Sequence, residues 1–296
     1  MRTTILAGLA ATTALVAAPA AAQDMDDVEI TVECVSERVC VLFGQGGNIA
    51  LQHGEDGNIL VDDQFAPLTP KILAAVASVN DAPVEFVVNT HYHGDHTGGN
   101  ENLADEGALV LAHDNVRKRI AERIGQDMGH GALPVLTFES GVDLEWNGEI
   151  IGIDHVHHAH TDGDSHVYFM GSKVVHMGDT YFHEVTWPYI DLGAGGSIEG
   201  LIASAKTVLS RVDSEWTIIP GHGPVASFAE LRAYHDMLLD LRDGVKAGID
   251  AGESLEQVQA RGLTDAYEVS EGFISADKFI EAVYKSLTGE TDYSPR

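Results

Sequence analysis

Runs of alternating apolar and polar residues predict paired β-strands in the first part of the chain. The runs VEITVEC, VCVLFG, NIALQH and NILVDD are broken by the turn sequences GQGGN and GEDGN. A period of two places one face of each strand on a core, and glycine-rich breaks of this kind join antiparallel neighbours. The segment 28–62 is therefore predicted to form β-hairpins.

Further along the chain, short apolar runs alternate with helical patterns. The runs typical of strands are VEFVVN, ALVLAH, IIGIDHV, HVYFM, KVVHMGD and WTIIP. Helices are predicted over 70–79 with Thr69 as N-cap, over 115–125, over 197–212 with Ser197 as N-cap, and over most of the chain after 227. Because β-rich and βα-rich segments occur twice, the sequence predicts an α/β fold of two sheets with outer helices.

The first 22 residues have the pattern of a secretory signal peptide. Arg2 is followed by an apolar run from Ile5 to Val16 and by small residues at Ala20 to Ala22. This apolar run is too short to span a bilayer, and no later run is long enough. We expect cleavage near Ala22, a periplasmic or secreted product, and a single domain over 23–296 with C-terminal helices, large enough to bury a sizeable core.

The charge balance narrows the class of partner. The sequence has 17 Lys and Arg residues and 46 Asp and Glu residues, which gives a formal net charge of −29. Such a surface repels nucleic acid and anionic membranes, which argues against a nuclease and favours a small-molecule substrate. The acidity is interpreted mainly as a means of solubility; steering of a cationic substrate is the second interpretation.

The two cysteines lie six residues apart in VECVSERVCV. A hairpin centred on Glu37 would place Cys34 directly opposite Cys40, at a Cα separation of about 4.5 to 5.5 Å that suits a disulfide. In an oxidising compartment we expect the two to pair; the other interpretation is two separate small core residues.

The run HYHGDH, which directly follows a predicted strand, carries the clearest chemistry. His91, His93, Asp95 and His96 lie within six residues, a spacing that one face of a helix does not produce. In an extended segment, His91, His93 and Asp95 would share one side, and His96 would point elsewhere towards a second metal. Imidazole and carboxylate together suit Zn²⁺, Fe or Mn. The run therefore predicts a metal site.

The sequence THYHGDHTGG resembles the HxHxDH motif of the metallo-β-lactamase superfamily, which includes glyoxalase II, lactonases, alkylsulfatase-like enzymes and β-lactamases. Three further motifs match in order: His160 in HAHTDGDS, Asp179 in VVHMGDT and His222 in IIPGHGP. The resemblance covers about residues 48–226 and implies a four-layer αβ/βα sandwich. It leaves the C-terminal helices unexplained.

The resemblance also implies a complete set of ligands for two Zn²⁺ ions per chain. One ion would take His91, His93 and His160, the other would take Asp95, His96 and His222, and Asp179 would bridge them. In such a site a metal-bridging hydroxide attacks a carbonyl, and Asp95 orients the hydroxide and moves its proton to the leaving group.

Other residues have weaker claims to a role. His155, His157 and His158 lie beside His160 and are interpreted as supporting or surface groups, because only His160 precedes Thr-Asp-Gly-Asp. The loop after Asp179 forms a pocket wall in relatives. The residues from this loop that are candidates for substrate contact, or alternatively for simple loop packing, are Tyr181, His183, Trp187 and Tyr189.

Several substrates remain open. Export favours β-lactam hydrolysis, but Asp179 resembles glyoxalase II and lactonases, and no lysine follows it in Thr180 to Phe182. An ester, thioester or lactone is therefore the alternative. A persulfide-type dioxygenase with one iron, and a non-enzymatic metal-binding protein, are further alternatives that the seven predicted ligands disfavour. The oligomeric state is left open.

Overall fold

The computed structural model describes residues 25–126, 128–270, 272–291 and 293. The predicted signal peptide lies outside these residues. Over them the strands are β1 (Thr31–Cys34), β2 (Val39–Phe43), β3 (Ile49–Gly54), β4 (Gly57–Val61), β5 (Val84–Asn89), β6 (Leu109–His113), β7 (Leu136–Phe138), β8 (Gly141–Trp146), β9 (Glu149–His155), β10 (Ser165–Phe169), β11 (Val174–His176), β12 (Thr217–Ile219) and β13 (Ala226–Ser227). The α-helices are α1 (Thr69–Val79), α2 (Gly94–Thr97), α3 (Asn100–Asp105), α4 (Asp114–Arg123), α5 (Ile198–Arg211), α6 (Phe228–Asp250), α7 (Leu255–Gln259) and α8 (Ala276–Thr288).

The strands form two mixed sheets. The first has the order β1-β2-β3-β4-β5-β6-β7, antiparallel from β1 to β4 and parallel from β4 to β7. The second has the order β13-β12-β11-β10-β9-β8, in which only β11 and β12 pair in parallel. The predicted hairpins over 28–62 are therefore present as β1 to β4.

Three apolar layers hold these sheets together. Between the sheets, side chains such as Val61 and Val88 of the first pack with Ile153 and Val167 of the second. The outer face of the first sheet packs on α1 and α3, and that of the second sheet packs on α5, α6 and α8. This helix-sheet-sheet-helix order confirms the predicted four-layer α/β sandwich.

Local details follow the sequence closely, with one correction. Cys34 lies opposite Cys40 across the β1–β2 hairpin, and the two form a disulfide, with their Cα atoms 3.8 Å apart, closer than expected. The Ser197 side chain accepts a hydrogen bond from the Gly200 amide at the start of α5, as an N-cap does. Thr69 was predicted to cap α1, but the helix begins at Thr69 itself, because Leu68 already ends a short 3₁₀ turn with helical backbone angles.

The C-terminal helices cover the segment that follows Asp179. Trp187 from this segment stacks on Phe279 of α8, with ring centroids 5.7 Å apart, and both side chains are buried. In the part of the chain that the structure describes, no helix combines the length and apolar character needed to cross a bilayer.

Candidate metal centre

The predicted ligands meet where parallel strands end. β5 ends at Asn89 and delivers His91 and His93 to the edge of the first sheet, next to the end of β4. His160 follows β9, Asp179 follows β11, and His222 follows β12. Open α/β sheets place ligand sites at such edges, because the carboxyl ends of several strands converge there.

The position of Asp95 differs from the one that its spacing predicts. Gly94 begins a helical turn, α2, instead of extending the strand end. Asp95 therefore does not share a side with His91 and His93. It lies with His96 and His222, the pairing that the family resemblance implies.

The predicted ligands form two groups, each with its ligand atoms within 4.8 Å of one another: His91, His93, His160 and Asp179 in the first, and Asp95, His96 and His222 in the second. A third group at the same spacing, Asp62 with His91 and His96, overlaps both. In the first, His93 Nδ1 lies 3.1 Å from His91 Nε2 and 2.9 Å from His160 Nε2. In the second, His222 Nε2 lies 3.3 Å from His96 Nε2 and 3.4 Å from Asp95 Oδ2.

Asp179 stands between the two groups. Its Oδ2 faces the first, at 3.7 Å from His91 Nε2 and 3.6 Å from His160 Nε2. Its Oδ1 faces the second, at 3.1 Å from His96 Nε2 and 3.4 Å from His222 Nε2. Oδ1 is buried and makes no hydrogen bond of normal geometry. A buried carboxylate oxygen without such a bond, aimed at imidazole nitrogens, is suited to a cation.

Asp62 and Thr90 orient two of the histidines from outside. Asp62 Oδ2 lies 2.7 Å from His96 Nδ1 and accepts a hydrogen bond from the Thr90 hydroxyl. The Thr90 oxygen in turn lies 3.0 Å from His91 Nδ1. With Nδ1 used in this way, Nε2 of each ring is left to face the other ligands.

His93 and His160 are held in a similar way. Asp191 Oδ2 lies 2.9 Å from His93 Nε2, so that His93 turns its Nδ1 towards the cluster. The carbonyl oxygen of Tyr189 lies 2.8 Å from His160 Nδ1, which leaves Nε2 to the cluster. Such outer partners fix the tautomer and the ring orientation of metal-binding histidines.

Two glycines make room for this packing. A Cβ atom at Gly221 would lie 2.1 Å from Asp179 Oδ1, and one at Gly47 would lie 2.1 Å from His96 Cε1. Side chains at these positions would occupy the space of the ligands themselves. Gly221 in the PGHGP turn therefore leaves the space that the Asp179 side chain occupies.

Charge within the cluster shifts the ionisation of its members. Burial lowers the pKa of His96, but the charges of Asp179, Asp95 and Asp62 together outweigh this and raise it well above its ordinary value. Burial raises the pKa of Asp179, whereas the charges of His96 and His222 hold it well below its usual range. Metal binding displaces protons from such ligands, so the donor set is the one that divalent cations require. The residues fit a two-metal site.

A cleft of about 530 Å³ opens above the cluster, and Asp95 and Asp179 both line it. The other lining residues are Phe65, Tyr92, His93, Gly94, Arg123, Tyr189 and Phe273. Of the residues predicted to contact substrate, Tyr189 is in this lining. Phe65, Arg123 and Phe273 had not been predicted from sequence, since they come from segments outside every motif.

The other three predicted substrate contacts are not part of this cleft lining. Tyr181 is fully buried, with its ring centroid 4.6 Å from that of Tyr234, and Trp187 is buried against α8. His183 directs Nδ1 towards the carbonyl oxygen of Pro224, at 3.1 Å. Asp179 lies in a 3₁₀ turn, and the irregular segment that follows it packs Tyr181 and Trp187 against the C-terminal helices α6 and α8.

The other histidines near His160 and Asp179 are not directed at the ligand cluster. His155 stacks on His113 with ring centroids 3.7 Å apart, and His158 Nδ1 lies 2.8 Å from the Gly195 carbonyl oxygen. His157 is exposed, whereas His166 and His176 are buried. None of these five belongs to any of the three groups of possible metal ligands found among the described residues.

Comparison with known proteins agrees with this geometry. The family model of the metallo-beta-lactamase superfamily matches residues 42–222, and the chain belongs to this superfamily. It is 32% identical to a hydroxyacylglutathione hydrolase of Polaromonas sp. (strain JS666) over 172 residues, which are 57% of this chain and 58% of that protein. The match therefore spans a little over half the length of that relative.

Other similarities are more distant. The chain is 26% identical to the 2,4-dinitroanisole O-demethylase subunit alpha of Nocardioides sp. (strain JS1661), covering 75% of this chain and 67% of that protein. A metallo-beta-lactamase from Pontibacter korlensis overlays with a TM-score of 0.62 at 18% identity, over 72% of this chain and all of that one. The sec-alkylsulfatase Pisa1 from Pseudomonas sp. gives 0.69 at 17% identity, over 89% of this chain and 51% of that one. The two structural similarities show the shared fold.

Proposed function

We propose that this protein is a two-metal hydrolase that cleaves an ester, a thioester or a related carbonyl compound. The observation that carries the proposal is the position of Asp179, whose two carboxylate oxygens face two separate groups of histidines. A carboxylate in this position can hold two cations side by side. Pairs of metal ions held in this way are typical of hydrolytic sites.

The metals are proposed to be zinc, since imidazole and carboxylate ligands suit it. His91, His93 and His160 would hold one ion, Asp95, His96 and His222 the other, and Asp179 both. When bound, the two ions would lower the pKa of water so that hydroxide forms near neutral pH, and would polarise the substrate carbonyl.

Asp95 is the proposed catalytic residue among the protein groups. It is the more exposed of the two carboxylates in the cleft, with 29% of its side chain accessible against 4% for Asp179. Burial raises its pKa, but the charge of His96 and the contact with His222 lower it to about 2. An ionised Asp95 at the cleft floor can accept a hydrogen bond from the attacking water and pass its proton to the leaving group.

Two features favour a thioester or ester over other carbonyl compounds. Asp179 would bridge the two ions, as the resemblance to the glyoxalase II type of site implies. Four hydroxyacylglutathione hydrolases are among the relatives, with 28 to 37% identity over their matched segments. Tyr92, Tyr189 and Phe273 give the cleft apolar walls for a substrate body, and Arg123 adds a positive charge at its edge.

β-Lactam hydrolysis is the second candidate. The predicted export favours it, since β-lactams act outside the inner membrane, and we propose a periplasmic or secreted location. The Cys34–Cys40 disulfide supports an oxidising compartment. The absence of a lysine in the three residues after Asp179, and the acidic surface, count against an anionic drug.

A substrate panel tests the proposal. The zinc-loaded protein would be assayed with S-lactoylglutathione, an acyl-homoserine lactone and nitrocefin. We expect saturable hydrolysis of the thioester or the lactone, abolished by a chelator and reduced at least a thousandfold in His93→Ala. Asp105→Asn, an exposed carboxylate on α3, is the matched control and should retain wild-type rates. Rates that survive both the chelator and His93→Ala would refute the proposed mechanism. Turnover of nitrocefin alone would select the second candidate.

A further inference from the structure

Asn48 holds the turn that carries His222 at three backbone carbonyl groups. It lies directly before β3 and is buried. The two N–H groups of its side-chain amide donate to the carbonyl oxygens of Pro220 and Gly223, at 2.9 and 2.8 Å. Its backbone N–H donates to the carbonyl oxygen of Gly221 at 2.7 Å. One residue from another part of the chain therefore fixes the backbone on both sides of His222.

The imidazole of His222 lacks the kind of outer partner that the other four ligand histidines have. Its polar contacts with the described residues are all made by Nε2, which faces the other ligands. The ring also stacks on Phe182, with centroids 5.4 Å apart. Because no hydrogen bond orients the second ring nitrogen from outside, the position of His222 depends on its backbone turn, which Asn48 holds.

His176 connects Asn48 to the turn that carries Asp179. It is fully buried at the end of β11, where its Nδ1 accepts a hydrogen bond from the Gly178 amide at 3.1 Å. Because Nδ1 accepts, Nε2 carries the proton, and it donates to the carbonyl oxygen of Asn48 at 3.0 Å. A neutral imidazole thus links the turn that carries His222 to the one that carries Asp179.

The residue before Asn48 contacts the other two ligands of the second group. The Gly47 amide donates to the carbonyl oxygen of Asp95 at 3.0 Å. A Cβ atom at Gly47 would lie 2.1 Å from His96 Cε1, so the backbone here packs directly on the imidazole. Gly47 and Asn48 together therefore touch every ligand of the second group or the backbone beside it.

The first group of ligands is held by other residues. The outer partners of its three histidines are Thr90, Asp191 and the carbonyl group of Tyr189. In the part of the chain that the structure describes, neither Asn48 nor His176 makes a hydrogen bond to these three partners. Asn48 therefore supports the second group in particular.

We propose that Asn48 is a positioning residue for the second metal ion, the one expected at Asp95, His96 and His222. This inference rests on the two-metal centre of the proposed function. In Asn48→Ala, the carbonyl oxygens on both sides of His222 lose their donors, so the turn can shift and carry the imidazole away from the other ligands. The second ion should bind roughly ten- to a hundredfold more weakly, whereas the affinity for the first ion should change by less than about threefold.

Zinc titration of the metal-depleted protein, in competition with a chromophoric chelator, measures both affinities without any turnover. Asn58→Ala is the matched control. Asn58 is also buried, and its side-chain amide also donates to two carbonyl oxygens, those of Asn80 and Ala82, at the end of β4 remote from the ligands. We expect two tightly bound ions in the wild type and in Asn58→Ala, but one tight and one weakened ion in Asn48→Ala.

Three results would overturn the role of Asn48: an unchanged affinity of Asn48→Ala for the second ion, an equal loss of both ions, or the same loss in Asn58→Ala. Asn48→Ser leaves a smaller cavity and at most one of the two side-chain donors. It replaces the alanine variant if that variant does not fold, and it should show the same selective loss. Wild-type protein that binds fewer than two ions would refute the two-metal centre itself, and this inference with it.

Discussion

Asp191 Oδ2 lies 2.9 Å from Nε2 of His93, and it also accepts a hydrogen bond from the Tyr92 hydroxyl at 2.7 Å. His93 and Asp191 are 98 residues apart in the chain. Because Nε2 is engaged, His93 presents Nδ1 to His91 and His160. Burial raises the pKa of Asp191, but its hydrogen bonds with His93 and Tyr92 hold it below its ordinary value, so Asp191 is an ionised acceptor.

Asp191→Asn should weaken the metal centre without removing a ligand. An amide is a poorer acceptor than a carboxylate and can turn its NH₂ towards His93, which disturbs the ring orientation. We expect a loss of about ten- to a hundredfold in metal affinity or in kcat/KM. Competition with a chromophoric chelator measures the affinity. Asp105→Asn serves as the control, and identical affinities in the two variants would contradict a role of Asp191 in positioning His93.

Gly221→Ala should displace Asp179. The added methyl group would lie 2.1 Å from Oδ1 and 2.6 Å from the backbone of Gly178, so one side of this contact must move. We expect less than one metal ion retained per chain and a lowered Tm, since metals that bind only the folded state stabilise it. Gly152→Ala, whose new Cβ would meet atoms no closer than 3.4 Å, is the control. Full metal content in Gly221→Ala would disprove this packing account.

His166 should make the fold sensitive to acid. It is buried, with its Nε2 2.9 Å from the Thr180 hydroxyl, and burial, followed by the charges of His176 and Arg211, lowers its pKa to about 3. The unfolded chain binds a proton at this side chain as the pH falls below about 6.5, whereas the folded chain does not until near pH 3. The contribution of His166 to the free energy of unfolding is therefore fully present above pH 6.5. It decreases as the pH falls below 6.5, by about 2 kcal/mol at pH 5.

Urea unfolding of His166→Gln at pH 7 and pH 5 isolates this effect. The variant should be less stable than wild type at pH 7, because its hydrogen bonds are altered. From pH 7 to pH 5, however, its free energy of unfolding should decrease by about 2 kcal/mol less than that of wild type. His130→Gln, at an exposed position, should lose as much as wild type. An unchanged loss in His166→Gln would show that this histidine is protonated in the folded state or does not control acid sensitivity.

Much of the ligand set could be predicted because each motif follows its own strand. His91, His160, Asp179 and His222 come just after β5, β9, β11 and β12, and apolar runs of strand length are visible in sequence. The four layers could also be predicted, because the pattern of strands and helices occurs twice along the chain. Only the family resemblance predicted that Asp95 would lie with His96 and His222, since spacing alone did not reveal the helical turn at Gly94.

The surroundings of the ligands could not be predicted. Asp191 and Asp62 meet His93 and His96 through tertiary packing, and neither carries a local pattern that distinguishes it from other acidic residues. Phe273 reaches the cleft from a loop before α8, beyond the part of the chain that the motifs cover. The burial of Tyr181 and Trp187 depends on the C-terminal helices, whose packing partners the sequence pattern does not identify.

The number of metal ions per chain shows whether the seven predicted ligands form a two-metal centre. Purified protein, freed of loosely bound ions by gel filtration, would be analysed by inductively coupled plasma mass spectrometry together with its protein concentration. We expect about two zinc ions per chain, because the seven predicted ligands form two groups joined by Asp179. One iron per chain, or no retained metal after reconstitution with zinc, would contradict it.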